Sequence, residues 1–281
     1  VQIKTWVAIG IVYLALVIGA YGFISGENIF QSGTMHEEHN EEQNENHNEE
    51  HEEESDMDHS GHNQHSEHGA GESQVKTHVM HQGDQLMIHL EDDEGNAPEL
   101  EISHEKDMHV IAVSNDLEQY LHLHPEKQGE GMYVINQTLA DGEYQVFIDI
   151  SPKGKAYTPT ANSLQIGEAT TPKTELDQDD SWTNEIDGKT VTLEPVEATV
   201  GETVPLVFNL HGESPEPYLG ALGHVVILDE AVEEFIHVHP ASPDDTRFDA
   251  HFTLPGTYKL WAEFKYPDAG VIAFPFVIEV N

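Results

Sequence analysis

Residues 107–126 read "DMHVIAVSNDLEQYLHLHPE", two apolar runs parted by turn-forming residues. An apolar run from Val110 to Val113 breaks at Ser114-Asn115-Asp116 and resumes as "YLHLH" before Pro125. Two short runs rich in apolar and β-branched residues, separated by turn residues, predict a β-hairpin with strands over 108–114 and 119–124. Side chains on a strand alternate faces, so His122 and His124 share one. This turn puts His109 directly opposite His122, with His124 as the diagonal neighbour, at about 4.5–5.5 Å and 7–8 Å. Pro125 ends the ladder and places the three imidazoles at a sheet rim.

The layout returns in "GHVVILDEAVEEFIHVHPA", residues 223–241, where His224 precedes His237 by the spacing that separates His109 from His122. His-x-His-Pro follows in both, as His122/His124 and His237/His239. Further on, "Asp141-Gly142-Glu143-Tyr144" and "Pro255-Gly256-Thr257-Tyr258" place a tyrosine where a tyrosine corner ties a late strand to nearby backbone. Around these landmarks the first copy offers strands at 86–92, 99–103, 108–114, 119–124, 131–138, 143–150 and 162–166. The second offers 189–195, 203–210, 224–229, 234–239, 246–254, 257–265 and 271–280. Seven short strands in each copy predict an all-β chain with two tandem immunoglobulin-like β-sandwich domains, 76–166 and 185–281. The polar stretch 167–184 between them reads as a linker.

Three imidazoles on one face suit a metal ion with an open coordination position, Cu²⁺ or Zn²⁺, with copper the tighter binder. The expected ligands are His109, His122 and His124 in one copy and His224, His237 and His239 in the other. Met108 adds a weaker thioether candidate, although a strand neighbour of His109 points to the opposite face. The plainer reading is a structural histidine pair satisfied by hydrogen bonds, with Met108 filling the core. Among the 281 residues there is no cysteine, which excludes disulfides, thiolate-bound zinc, thiol catalysis and a blue-copper site. With 53 acidic against 11 basic residues the net charge is −42, which repels nucleic acid and attracts cations. No nucleophile elbow, phosphate loop, His-Glu-x-x-His or EF-hand sequence is present. Asp107 and Glu126 flank the histidines in the first copy but have no counterparts in the second. The expectation is therefore that the protein is not an enzyme.

Residues 6–24, "WVAIGIVYLALVIGAYGFI", are an uncharged apolar run long enough to span a bilayer. Lys4 before it and the acidic segment after it place the amino end in the cytoplasm and the rest outside. Segment 1–30 is thus read as a single-pass membrane anchor, with a cleaved signal peptide as the alternative. Residues 31–75 carry eight histidines (36, 39, 47, 51, 59, 62, 65 and 68) among glutamates, with no Lys or Arg before Gln74. That composition predicts a disordered tether. His59, His62, His65 and His68 are its metal-capturing candidates, and a self-repelling spacer is the alternative.

"Asp107-Met108-His109-Val110-Ile111-Ala112-Val113-Ser114-Asn115-Asp116-Leu117" with "His122-Leu123-His124-Pro125", and "Tyr218-Leu219-Gly220-Ala221-Leu222-Gly223-His224" with "His237-Val238-His239-Pro240", resemble segments of secreted bacterial proteins. Over about residues 76–281 the chain is similar to YtkA-like and CopC-like extracytoplasmic domains. The resemblance implies an immunoglobulin-like sandwich and copper handling. A CopC-like site uses an amino-terminal histidine, which a tethered domain does not offer in the same way. The resulting expectation is a membrane-anchored, extracytoplasmic metal-binding protein for capture, resistance or delivery. A membrane metal transporter or a cuproenzyme is the expected next holder of the ion. The alternatives are a surface interaction or assembly module with structural histidines, and a histidine-based pH sensor.

Overall fold

The computed structural model describes residues 72–238, 240 and 242–281. The apolar run 6–24, the tether histidines His59, His62, His65 and His68, and His239 lie outside the described residues. The described chain is all-β. Its first half contains β1 (Val75–Gln82), β2 (Gln85–Asp92), β3 (Leu100–Glu101), β4 (His109–Ser114) and β5 (Tyr120–Leu123). It continues with β6 (Glu126–Gly129), β7 (Met132–Asn136), β8 (Gly142–Asp149), β9 (Ser151–Pro152) and β10 (Asn162–Ile166). The second half contains β11 (Thr183–Ile186), β12 (Lys189–Leu193), β13 (Thr203–Asn209) and β14 (Gly223–Asp229). It closes with β15 (Phe235–Val238), β16 (Arg247–His251), β17 (Gly256–Tyr266) and β18 (Gly270–Val280).

Each half is a sandwich of two four-stranded sheets. In the first, the order β1-β2-β7-β6 faces the order β10-β8-β4-β5. This is the ABED and GFC division of an immunoglobulin-like sandwich, with β5 as an added edge strand beside β4. In the second, β11-β12-β13-β16 faces β15-β14-β17-β18. Leu86, Ile88, Val110, Ala112, Val146 and Ile148 fill the first core, and Leu206, Val225, Ile227, Leu260, Phe264 and Phe274 contribute to the second. The expected tyrosine corner forms in the second copy, where the Tyr258 hydroxyl donates to the carbonyl of Leu254 at 2.8 Å; the Tyr144 hydroxyl of the first copy donates to the Gln119 side chain at 2.8 Å.

The central strands explain how the two sandwiches join. Every residue of β4 is buried, so both its faces are covered, which is why its sequence runs apolar instead of alternating. Val110 and Ala112 face their own core, whereas Ile111 and Val113 point the other way, into a third apolar cluster. That cluster also holds Phe147 from β8, Val226 and Leu228 from β14, and Trp261 from β17. The histidine-bearing sheets of the two halves therefore pack against each other. Tyr120 stacks on Trp261 with ring centroids 4.6 Å apart, and Phe147 on Phe235 at 5.0 Å. These two pairs exchange equivalent positions of the repeat, so the contact is a self-complementary one between two copies in one chain.

Several details differ from the sequence reading. Strand β1 begins at Val75 and was not anticipated, because His78 and Met80 at its outward positions disguise the alternation. Residues 167–184, the expected linker, make specific contacts with the second half. Lys173 Nζ donates to the Ala231 carbonyl at 2.9 Å, the Leu176 amide to Glu230 at 2.7 Å, and the Leu176 side chain packs on the shared apolar cluster. Polar composition concealed this role, and β11 starts inside the segment. Trp261 is 3% exposed at the join. Its replacement by alanine is expected to lower stability by about 3 kcal/mol, read from urea unfolding. Small-angle scattering of the same variant should report a more extended particle.

Candidate metal centre

The hairpin of β4 and β5 forms as expected, but its register differs. His122 lies opposite Ile111 and Leu123 opposite Val110. His109 is therefore diagonal to His122, and continuing the same register puts His124 across from His109. The hairpin turn is longer than expected: Leu117 takes a left-handed conformation (φ 59°), its amide bonds Ser114, and the ladder resumes only at Tyr120. The same-face prediction survives this shift, since a two-residue displacement preserves the face.

The rings converge closely. His109 Nδ1 lies 3.0 Å from His122 Nε2 and 3.1 Å from His124 Nε2. The opposite ring nitrogens show which lone pairs point inward. His109 Nε2 is 3.1 Å from the Ser103 carbonyl, which only accepts, so this nitrogen carries the proton. His122 Nδ1 is 2.6 Å from the carboxylate of Glu263, so it too is the donor. In the neutral tautomers, His109 Nδ1 and His122 Nε2 then face each other as acceptors. One proton satisfies at most one such pair, whereas a cation at the centre satisfies three nitrogens together. Anchoring the distal ring nitrogen on a carbonyl or carboxylate is the usual support for a metal-binding histidine.

Glu263 belongs to the second sandwich, so the site spans the join. The counterpart contact runs the other way, with His237 Nδ1 donating to Asp149 of the first sandwich at 2.7 Å. His224 Nε2 donates to the Tyr218 carbonyl at 3.0 Å, repeating the His109–Ser103 bond. Of the second-copy histidines, His224 and His237 lie beside the first-copy group, and His239 is outside the described residues. The His237 ring lies 5.4 Å from that of His109 and 5.5 Å from that of His122, and His224 is 6.2 Å from His122. His104, in a left-handed turn (φ 50°), lies 6.0 Å from His224. Gly223 lets β14 lie close against β17, because a Cβ there would sit 2.7 Å from the Glu263 carbonyl oxygen and from the Phe264 ring.

Two expectations are corrected. Met108 is 1% exposed and packs in the first core, facing away from the imidazoles, so it is not a ligand. The cluster is not at an open rim either. His109 and His224 are buried, the side chains of His122 and His237 are 1% and 4% exposed, and His104 and His124 keep partial exposure. Burial favours the neutral form of His104, His109, His124, His224 and His237. Desolvation, then the neighbouring His122, pushes His109 down to about 4 and His124 to about 3. Desolvation takes His224 to about 3 and lowers His104 and His237.

Asp149 and Glu263 were missed in the sequence, yet a signal existed. Each stands five residues after the corner tyrosine, an acid that closes a run of three apolar residues in both copies.

The family described as "Domain of unknown function (DUF8832)" matches residues 70–163 and again 184–281, and the chain belongs to it. No curated protein matches the chain. Among solved structures, it is similar to the tetra-tandem repeat in the extending region of a large adhesion protein. That likeness has 10% identity, covers 75% of this chain and 50% of that one, and has a TM-score of 0.24. The chicken CNTN1 FN1–FN3 domains match at 11% identity, over 73% of this chain and 66% of that one, with a TM-score of 0.22. The chain thus spans half the length of the first of these structures and about two thirds of the second.

The depressed histidine values set a pH dependence. The unfolded chain takes up protons on these rings near pH 6.5, whereas the folded site does so only at about 4 for His109 and about 3 for His124. The unfolded state therefore binds more protons between those values, and stability falls as pH drops through that window. With chelator present, the urea midpoint should decline from pH 7 to pH 5. A flat midpoint over that range would contradict the assignment.

Proposed function

We propose that this DUF8832 chain, whose family description names no activity, is a non-catalytic metal-binding protein with its centre between two β-sandwiches. The observation that carries this reading is the convergence of His109 Nδ1, His122 Nε2 and His124 Nε2, with separations of 3.0 and 3.1 Å from the first to the others. Bonds of about 2.0–2.1 Å from one ion span such a set. Copper is preferred to zinc, because nitrogen donors bind Cu²⁺ more tightly in the Irving–Williams order. His104, His224 and His237 form the next ring of imidazoles around the ion.

The resemblance to YtkA-like and CopC-like domains supports copper handling. The apolar run 6–24 and the histidine-rich segment after it support a membrane-anchored, extracytoplasmic protein that collects ions ahead of the folded part. On this reading the ion passes between the tether, the join and a downstream transporter or cuproenzyme, in resistance or in delivery.

A chain beginning at residue 72, loaded with Cu²⁺ or Zn²⁺ and desalted, should retain metal in stoichiometric amount by elemental analysis. Replacing His122 and His124 with alanine should abolish retention. Equal retention by the variant, or none by the parent, would sink the assignment.

Glu263→Gln gives a finer test, because an amide no longer holds His122 Nδ1–H as a carboxylate does. It should weaken metal affinity about 10–100-fold in a competition titration, leaving the strand content seen by circular dichroism unchanged.

A further inference from the structure

Sandwich one carries a second concentration of metal-ligating side chains, on the solvent face of the β1-β2-β7-β6 sheet, the sheet remote from the join. Outward positions of an antiparallel sheet with one solvated face are ordinarily charged, polar or β-branched. Here the register sets His78 opposite His89 and His89 opposite Met132, in one row across β1, β2 and β7. The next row sets Met80 opposite Met87, and Met87 opposite Val134. Three of the protein's six methionines thus share one exposed face with two histidines. Met80 is 49% exposed, and the His78 and His89 rings stack 6.2 Å apart.

Opposed residues in a ladder lie about 5 Å apart, and same-face neighbours along a strand about 7 Å. Thioethers on flexible side chains bridge those spacings readily. An open cleft of about 560 Å³ borders His78, Met80, His89 and Met132, so an ion reaches them directly from solvent. Glu91 stands 3.6 Å from His78 Nε2 and adds negative charge beside the group. Burial does not explain this choice of residues, because the face is solvated.

We infer that Met80, Met87, Met132, His78 and His89 form a surface site for a soft monovalent cation, Cu⁺ or Ag⁺. Thioether and imidazole donors select Cu⁺, whereas the all-imidazole centre at the join suits the divalent ion. The two sites therefore separate by oxidation state, and this one stands independently of the interdomain reading.

The full chain with ¹³C-labelled methionine methyls, assigned by single Met→Ile variants, is titrated with Ag⁺ and with Cu⁺ under ascorbate. The Met80, Met87 and Met132 signals should move together on one saturable curve, while buried Met108 stays fixed. Met87→Val with Met132→Val should weaken that curve at least tenfold. His122→Ala with His124→Ala should leave it unchanged, so failure of the interdomain centre is read separately. The inference is overturned if the three signals stay still while Met35 and Met57 move, or if they drift without saturating. It is equally overturned if the His122/His124 variant abolishes the response.

Discussion

The carboxylate of Glu263, held against His122 across the join between the sandwiches, is the contact on which the centre depends. It is 3% exposed, and a carboxylate so placed is tolerable only with a donor or a positive charge beside it. His122 supplies the donor, and in doing so turns its other nitrogen toward His109. Asp149 and His237 repeat the arrangement in the opposite sense. The two sandwiches are thus fastened by crossed contacts that also fix the tautomers of the imidazoles they enclose.

Apolar packing sets the geometry these contacts exploit. The crossed stacks of Tyr120 on Trp261 and Phe147 on Phe235 bring the two sheets face to face next to the histidines. Aromatic pairs of this kind contribute about 0.5–1.5 kcal/mol beyond their buried area. Desolvation of this layer makes protonation of His109, His124 and His224 costly, so these rings stay neutral well below neutral pH. A metal entering this layer meets His109 and His124 held in the neutral form by burial, with His124 partly exposed. The buried Glu263 and the partly exposed Asp149 favour a cation there, and the net charge of −42 favours its approach.

Much of this was legible in the sequence. The repeated spacing of His109, His122 and His124 with His224 and His237 gave the hairpins and the shared face, because strand alternation is local and rigid. The uninterrupted apolar runs of β4 and β14 also carried a message that both faces are covered, which the two-domain reading did not use. Three things were hidden. The register depended on Leu117 and the residues after it lengthening the turn. The partners Glu263 and Asp149 lie far from the histidines they touch in the chain and are joined to them only by tertiary packing. The Met and His positions of β1, β2 and β7 become rows only once those strands are paired.

Diffraction at the copper absorption edge from crystals grown with Cu²⁺ would test the central claim most directly. The account predicts an anomalous peak about 2.0 Å from His109 Nδ1, His122 Nε2 and His124 Nε2, with Glu263 still bonded to His122. A join with no peak, in crystals whose copper is bound elsewhere, would contradict it.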